Sequence, residues 1–196
     1  MSYISVKKLT KSFGDKKVLD GFSAEFPSDG VTVIMGESGC GKTTLINIMM
    51  GFEKADSGEI IGLPSRFSAV FQDDCLCEDF SALSNLKAVV GRKRSKAELA
   101  EYLEKVGLTG KDTTCPVKEL SGGMKRRVAI ARALVADCDF IIMDESFKGL
   151  DEEMRKKVID LVLYDTKSKK RGLLVITHDA DEIELLKADY TIIFNK

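Results

Sequence analysis

The stretch MGESGCGKTTLIN, residues 35–47, follows an apolar run and opens a helical pattern, and it constrains this chain more than any other feature. Gly36, four further residues and then Gly41-Lys42-Thr43 put very little side chain into a loop beside a lysine. Glycines in such a loop let backbone N–H groups converge on an anion that a Cβ would hold off. The following helix adds its own N-terminal N–H groups and the positive end of its dipole. Lys42 can reach the β- and γ-phosphates of a nucleotide, and the Thr43 hydroxyl can ligate Mg2+. The candidate phosphate-binding residues are Gly36, Glu37, Ser38, Gly39, Cys40, Gly41, Lys42, Thr43 and Thr44. A glycine-rich turn that binds nothing would show the same letters, so the rest of the chain has to decide the chemistry.

Short apolar runs resembling buried parallel strands recur at VTVIM (31–35), FIIM (140–143), LLVIT (173–177) and YTIIF (190–194). Helical patterns lie between them. KTTLINIMM follows the first run, and SKAELAEYLEKVGL runs from a Ser95 N-cap towards Gly107. SGGMKRRVAIARALVAD places Met124, Val128, Ala131 and Val135 on one face and basic residues on the other. DEEMRKKVIDLVLYD starts acidic, which suits the helix dipole. Strands alternating with helices predict an α/β fold with a mostly parallel sheet. Ahead of them, YISVKKL and FSAEF alternate as an antiparallel pair, a small N-terminal β-subdomain. We therefore expect one domain over residues 1–196, with a nucleotide-binding core at 1–72 and 139–196 and an inserted helical subdomain at 73–138.

Thirty basic and thirty-one acidic side chains leave a formal charge of −1, which gives no electrostatic footprint for nucleic acid or anionic lipid. The basic run GRKRSK, 91–96, reads as a solvated loop. No apolar stretch approaches the roughly 20 residues that cross a bilayer. The N-terminus MSYISVKKLTKSFG lacks a hydrophobic signal region, so a cytoplasmic location is expected. The five cysteines are irregularly spaced and read as free thiols. Cys75 and Cys77 have no second pair to complete a metal site, and the chain has one histidine.

FIIMDE, 140–145, is an apolar strand ending in two carboxylates, and a strand of this kind delivers them beside the phosphate loop. Asp144 would hold Mg2+, and Glu145 would polarise the water that attacks the γ-phosphate. LSGGMKRRVAIARAL, 120–134, offers a second small-residue turn at a helix N-terminus, Ser121-Gly122-Gly123. Taken by itself that turn is equally a capped helix start.

With its KRR and AIARAL continuation, this last segment resembles the signature motif of the ATP-binding cassette (ABC) ATPases. Met124, where that family usually has glutamine, resembles the branch that drives importers of nitrate, sulfonate and taurine. The resemblance runs from Phe13 past His178 and rests on the ordered set of motifs. It implies that Phe13 stacks on adenine and that Gln72, in AVFQDD, senses Mg2+ and the attacking water. It also implies that Asp151, closing GLD, communicates across a dimer, and that His178 contacts the γ-phosphate. A P-loop NTPase fold, ATP hydrolysis with ATP and Mg2+, and catalytic roles for Lys42, Gln72, Glu145 and His178 follow from it. Thr43, Gln72 and Asp144 would hold the metal. Two copies would pack head to tail, each ATP lying between the Lys42 loop of one and Ser121–Gly123 of the other.

The resemblance further implies integral membrane permease subunits and an extracytoplasmic solute-binding protein as partners, with the chain peripheral on the inner face of the membrane. The segment DDCLCEDFSALSNLKAVV resembles the region that receives the permease, and its apolar residues Leu76, Phe80, Leu83 and Leu86 fit an ordinary subdomain core equally well. Three features depart from the family pattern. Ser146 stands where proline is usual, Lys148 where a small residue is usual, and the stretch before Gln72 is short. An exporter or lipoprotein-releasing complex is the alternative within transport. A nucleic-acid ATPase would carry long heptads between the phosphate loop and the signature, and a kinase or GTPase would need neither LSGG nor His178.

Overall fold

The computed structural model describes residues 2–37 and 39–194. In chain order its strands are β1 (Tyr3–Phe13), β2 (Lys16–Pro27), β3 (Gly30–Gly36), β4 (Ser57–Ile61), β5 (Phe67–Val70), β6 (Phe140–Asp144), β7 (Gly172–Ile176) and β8 (Tyr190–Phe194). The helices are α1 (Lys42–Met49), α2 (Ala82–Val90), α3 (Lys96–Lys105), α4 (Gly122–Val135), α5 (Glu152–Ser168) and α6 (Ala180–Leu186). Five strands make a parallel sheet in the order β5-β6-β7-β3-β8. The other three make an antiparallel sheet in the order β2-β1-β4.

The unbroken apolar runs follow from burial on both faces. Every residue of β6 and β7 is buried. Ile141, Met143, Leu173 and Val175 face Ala129, Ile130 and Ala133 of α4 and Val158 and Ile159 of α5. The intervening Phe140, Ile142, Leu174 and Ile176 face the other way, towards Leu45 and Ile46 of α1 and Ile4, Val6 and Phe26 of the antiparallel sheet. Each Val, Leu, Ile, Met or Phe side chain among them, taken from water, contributes about 1.5–3 kcal/mol.

In β1 the alternation breaks after Val6, because Leu9 is out of phase with Ile4 and Val6. Lys8, at φ 46°, and a register shift between Val6 and Leu9 return Leu9 to the buried face. A bulge of this kind absorbs one extra residue and restores the pleat.

A third apolar cluster lies among α2, α3 and α4, with Leu83, Leu86, Leu99, Leu103, Val128 and Val135. α4 thus serves two cores, and the expected split into one apolar and one basic face is too simple. Leu83 and Leu86 belong to this helical core, whereas Phe80 is exposed. α3 starts in a full capping box, Ser95 with Glu98. In the basic run, Lys93 pairs with Asp137 at 3.1 Å and Arg94 reaches Glu98 at 4.0 Å, so these two cations are engaged within the chain. Among the described residues no helix is long and apolar enough to cross a membrane.

The sheet register sets the site. Ile34 pairs with Ile176, which in turn pairs with Asp144, so β3, β7 and β6 end side by side. Val70 pairs with Met143, placing the end of β5 next in the row. The loops that leave these four ends carry Lys42, His178, Glu145 and Gln72.

Candidate active site

The loop from β3 to α1 wraps around Lys42, which is buried and donates from Nζ to the carbonyls of Gly36 at 2.8 Å and Glu37 at 2.6 Å. Its ammonium also lies 3.5 Å from Cys40 Sγ. Gly41 sits before α1 at φ 111°, and a Cβ there would stand 2.9 Å from the Val18 carbonyl oxygen. Gly39 differs, since none of the described residues beyond its chain neighbours lies within 4 Å of its Cβ position. Gly41 is therefore required by close packing, while Gly39 leaves room on the open side. Among the described residues α1 has no side-chain cap and no acid in its first turn, which leaves its N-terminal N–H groups available to an anion. Ser38 lies outside the described residues.

The Thr43 hydroxyl donates to Asp144 Oδ2 at 3.1 Å, joining the start of α1 to the end of β6. Asp144 is buried, and burial pushes its carboxyl above the ordinary carboxylate value. The Thr43 hydroxyl pulls it back, the Glu145 charge pushes it up and the Lys42 ammonium pulls it down. A desolvated carboxylate beside a hydroxyl is a pair of hard oxygen donors, the chemistry that suits Mg2+. Glu145 follows in left-handed backbone at φ 46°, held by its N–H on the Ile176 carbonyl at 3.0 Å. Strain of this sort in a non-glycine residue gathers at functional positions. Its Oε1 lies 3.2 Å from His178 Nδ1 and its Oε2 3.7 Å from Lys148 Nζ. Ser146 is fully buried and donates to the Val70 carbonyl at 3.2 Å, tying the end of β6 to the end of β5.

Phe13, Gly39, Gly41, Lys42, Thr43, Thr44, Gln72, Asp144 and Glu145 line one cleft of about 410 Å³. Gly36, Glu37, Cys40 and His178 line an adjoining one. The Phe13 ring is 49% exposed, with Lys11 Nζ 5.1 Å from its centroid. Lys16 and Val18 also line the first cleft and were not among the expected residues. Phe13 and Lys16 are register partners across a two-residue Gly14-Asp15 turn, a hairpin signal present in the sequence.

Ser121, Gly122, Gly123 and Asp151 are not among the described residues lining that cleft. Ser121 caps α4 by accepting from Met124 N–H at 3.3 Å, and Asp151 caps α5 by accepting from Met154 N–H at 2.9 Å. A Cβ on Gly123 would come within 3.3 Å of the Gly149 carbonyl, so the two loops touch, whereas around Gly122 there is open space. Arg126 and Arg132, read from the sequence only as part of a basic face, reach back to the segment after β5. Arg126 donates to the Phe71 and Gln72 carbonyls at 2.6 and 2.5 Å, and Arg132 to those of Asp74 and Cys75 at 2.9 and 2.6 Å.

Residues 19–148 match the family described as ABC transporter. An aliphatic sulfonates import ATP-binding protein, SsuB 1 of Nocardia farcinica, is 37% identical over 196 residues, covering 98% of this chain and 78% of that one. SsuB 1 of Paracoccus denitrificans is 34% identical over 184 residues, covering 93% of this chain and 76% of that one. Among solved structures, the dimeric structure of MJ0796, a bacterial ABC transporter cassette, superposes with a TM-score of 0.85 at 24% identity, over 97% of this chain and 94% of that one. The same cassette in a dimeric post-hydrolysis state bound to ADP and Pi gives 0.84 at 25% identity, over 97% of this chain and 93% of that one. With fold, cleft and kinship in agreement, this chain belongs to the ABC transporter family.

Proposed function

We propose that this chain is the ATP-hydrolysing subunit of a membrane importer for small solutes of the aliphatic sulfonate, nitrate or taurine kind. The observation that carries the reading is the 3.1 Å contact between Thr43 Oγ1 and Asp144 Oδ2. It joins loop and carboxylate strand in a cleft that Phe13, Gln72 and Glu145 also line.

ATP lies with its triphosphate along the Lys42 loop, held by the ammonium and the first N–H groups of α1, and with its adenine on Phe13. Thr43, Asp144 and Gln72 are the residues that would hold Mg2+, which supplies charge neutralisation to the phosphates. Glu145 polarises the attacking water and accepts its proton at a carboxylate oxygen. His178 steadies that carboxylate and contacts the γ-phosphate, and Gln72 orients the water. Ser121–Gly123 serve the nucleotide of a second copy, and Asp151 lies at that contact. Their absence from the cleft of their own chain, among the described residues, supports the head-to-tail pair.

The helices between 73 and 138 act as the subdomain that carries the signature turn, and exposed Phe80 belongs to the surface offered to a permease. A solute-binding protein completes the complex, and the chain works from the cytoplasmic face of the membrane. Nucleic acid has no part in it.

Glu145→Gln keeps the size of the side chain and removes the base. It should lower turnover about 10²–10⁴-fold while ATP binding persists and the ATP-bound dimer accumulates on size-exclusion chromatography. An undiminished hydrolysis rate would refute the assignment of Glu145.

A further inference from the structure

We infer that Lys148 is a positioning residue that draws the Glu145 carboxylate away from the nucleotide cleft and so slows hydrolysis. This rests on Glu145 being the base.

Glu145 lines two cavities at once. One is the cleft it shares with Lys42, Thr43 and Gln72. The other, about 220 Å³, it shares with Lys148, Gly149, Arg155 and His178. Each carboxylate oxygen faces a base from the second cavity, Oε1 at 3.2 Å from His178 Nδ1 and Oε2 at 3.7 Å from Lys148 Nζ. A carboxylate must aim a lone pair into the cleft to accept a proton from water. While Lys148 attracts Oε2, the conformers that aim this oxygen at the cleft are depopulated.

Lys148 sits three residues beyond Glu145, in the turn that its own N–H closes onto the Glu145 carbonyl at 3.4 Å. Its neighbour Gly149 touches the start of α4. A partner docking on the signature turn would therefore meet the same loop. Lys148 is 67% exposed and Glu145 only 20%. The pair is consequently weak, and the restraint is a factor of about two to five in rate.

Steady-state hydrolysis by the purified chain tests this, measured across protein concentrations up to saturation of the rate. Lys148→Met preserves the length of the stem and removes the charge. It should raise kcat about two- to fivefold, leave KM for ATP unchanged and leave the thermal midpoint unchanged, whereas Lys148→Arg should behave as wild type. NaCl raised to about 1 M should speed the wild type towards the Met variant and barely affect the variant, because the Debye length there, about 3 Å, is shorter than the 3.7 Å separation of the pair. A packing role would move the thermal midpoint without this salt dependence. An equal or lower kcat for Lys148→Met, or a gain that vanishes at saturating protein, overturns the inference. Glu145→Gln separates the two levels. If it is inactive while Lys148→Met matches wild type, only the role of Lys148 falls; if it is active, the reading of Glu145 falls with it.

Discussion

Glu182 is a buried carboxyl group in the first turn of α6, and Thr177 Oγ1 donates to it at 2.5 Å. Burial pushes its pKa above the ordinary value of 4.5; the Thr177 hydroxyl opposes this, the Asp179 charge adds to it, and Arg155 and His178 oppose it. A carboxyl with a raised folded-state pKa holds its proton to higher pH in the fold than in the unfolded chain. Its contribution to stability is therefore complete below the unfolded value and is lost as pH rises through the folded one. Replacing Glu182 with Gln keeps the acceptor and removes the titration. The difference in thermal midpoint, Glu182→Gln minus wild type, should grow as pH rises from 4.5 towards neutrality. A flat difference would mean that Glu182 is as easily ionised in the fold as in the open chain. Thr177 precedes His178, so this buried pair also anchors the loop that delivers the histidine to Glu145.

Among the elements, α4 links most of the structure. Its Ile130 and Ala133 pack on the parallel sheet, its Val128 and Val135 on α2 and α3, and its arginines hold the segment after β5. Truncating fully buried Ile130 to Ala should cost about 2–5 kcal/mol, read in urea as a lower midpoint at unchanged slope. An effect below about 1 kcal/mol would mean that the helix relaxes into the gap. The double duty of α4 was invisible in the sequence, where its period shows one apolar face and its arginines look solvated. Hydrogen bonds to the carbonyls of a segment some fifty residues away leave no pattern in local letters. Central strands were legible because burial on both faces writes an unbroken apolar run, as in FIIMD and GLLVI. β4 was not, for its SGEII has no fully buried residue and owes its place to pairing with β1. Gly41-Lys42-Thr43 and Asp144-Glu145 stand out in the sequence by residue type and spacing, and the fold brings them to one cleft. Lys16 and Val18 reach the cleft only through the hairpin, which needs the register of β1 on β2.

At the scale of the whole molecule, the Lys42 loop and the Ser121–Gly123 turn stand apart, the latter outside the cleft around Lys42 among the described residues. If each nucleotide site is shared between copies, every pocket takes its loop from one chain and its signature turn from the other. Gly122 offers a clean probe, since among the described residues nothing lies within 4 Å of its Cβ position and a side chain there fits its own fold. Gly122→Asp should fold normally and place a carboxylate against the triphosphate held by the twin, ending turnover. Lys42→Ala should end turnover from the other side. Mixed in equal amounts, the two inactive proteins form dimers in which one pocket combines an intact Lys42 loop with an intact signature turn. Random pairing makes half of the dimers mixed with one good pocket each, so activity should return to about a quarter of wild type for independent sites. If both halves of a pocket came from one chain, Lys42→Ala would disable every pocket of its own chain and Gly122→Asp every pocket of the other. The mixture would then stay inactive however well it dimerised. Recovery on mixing thus separates a shared pocket from a private one, independently of which solute the complex carries.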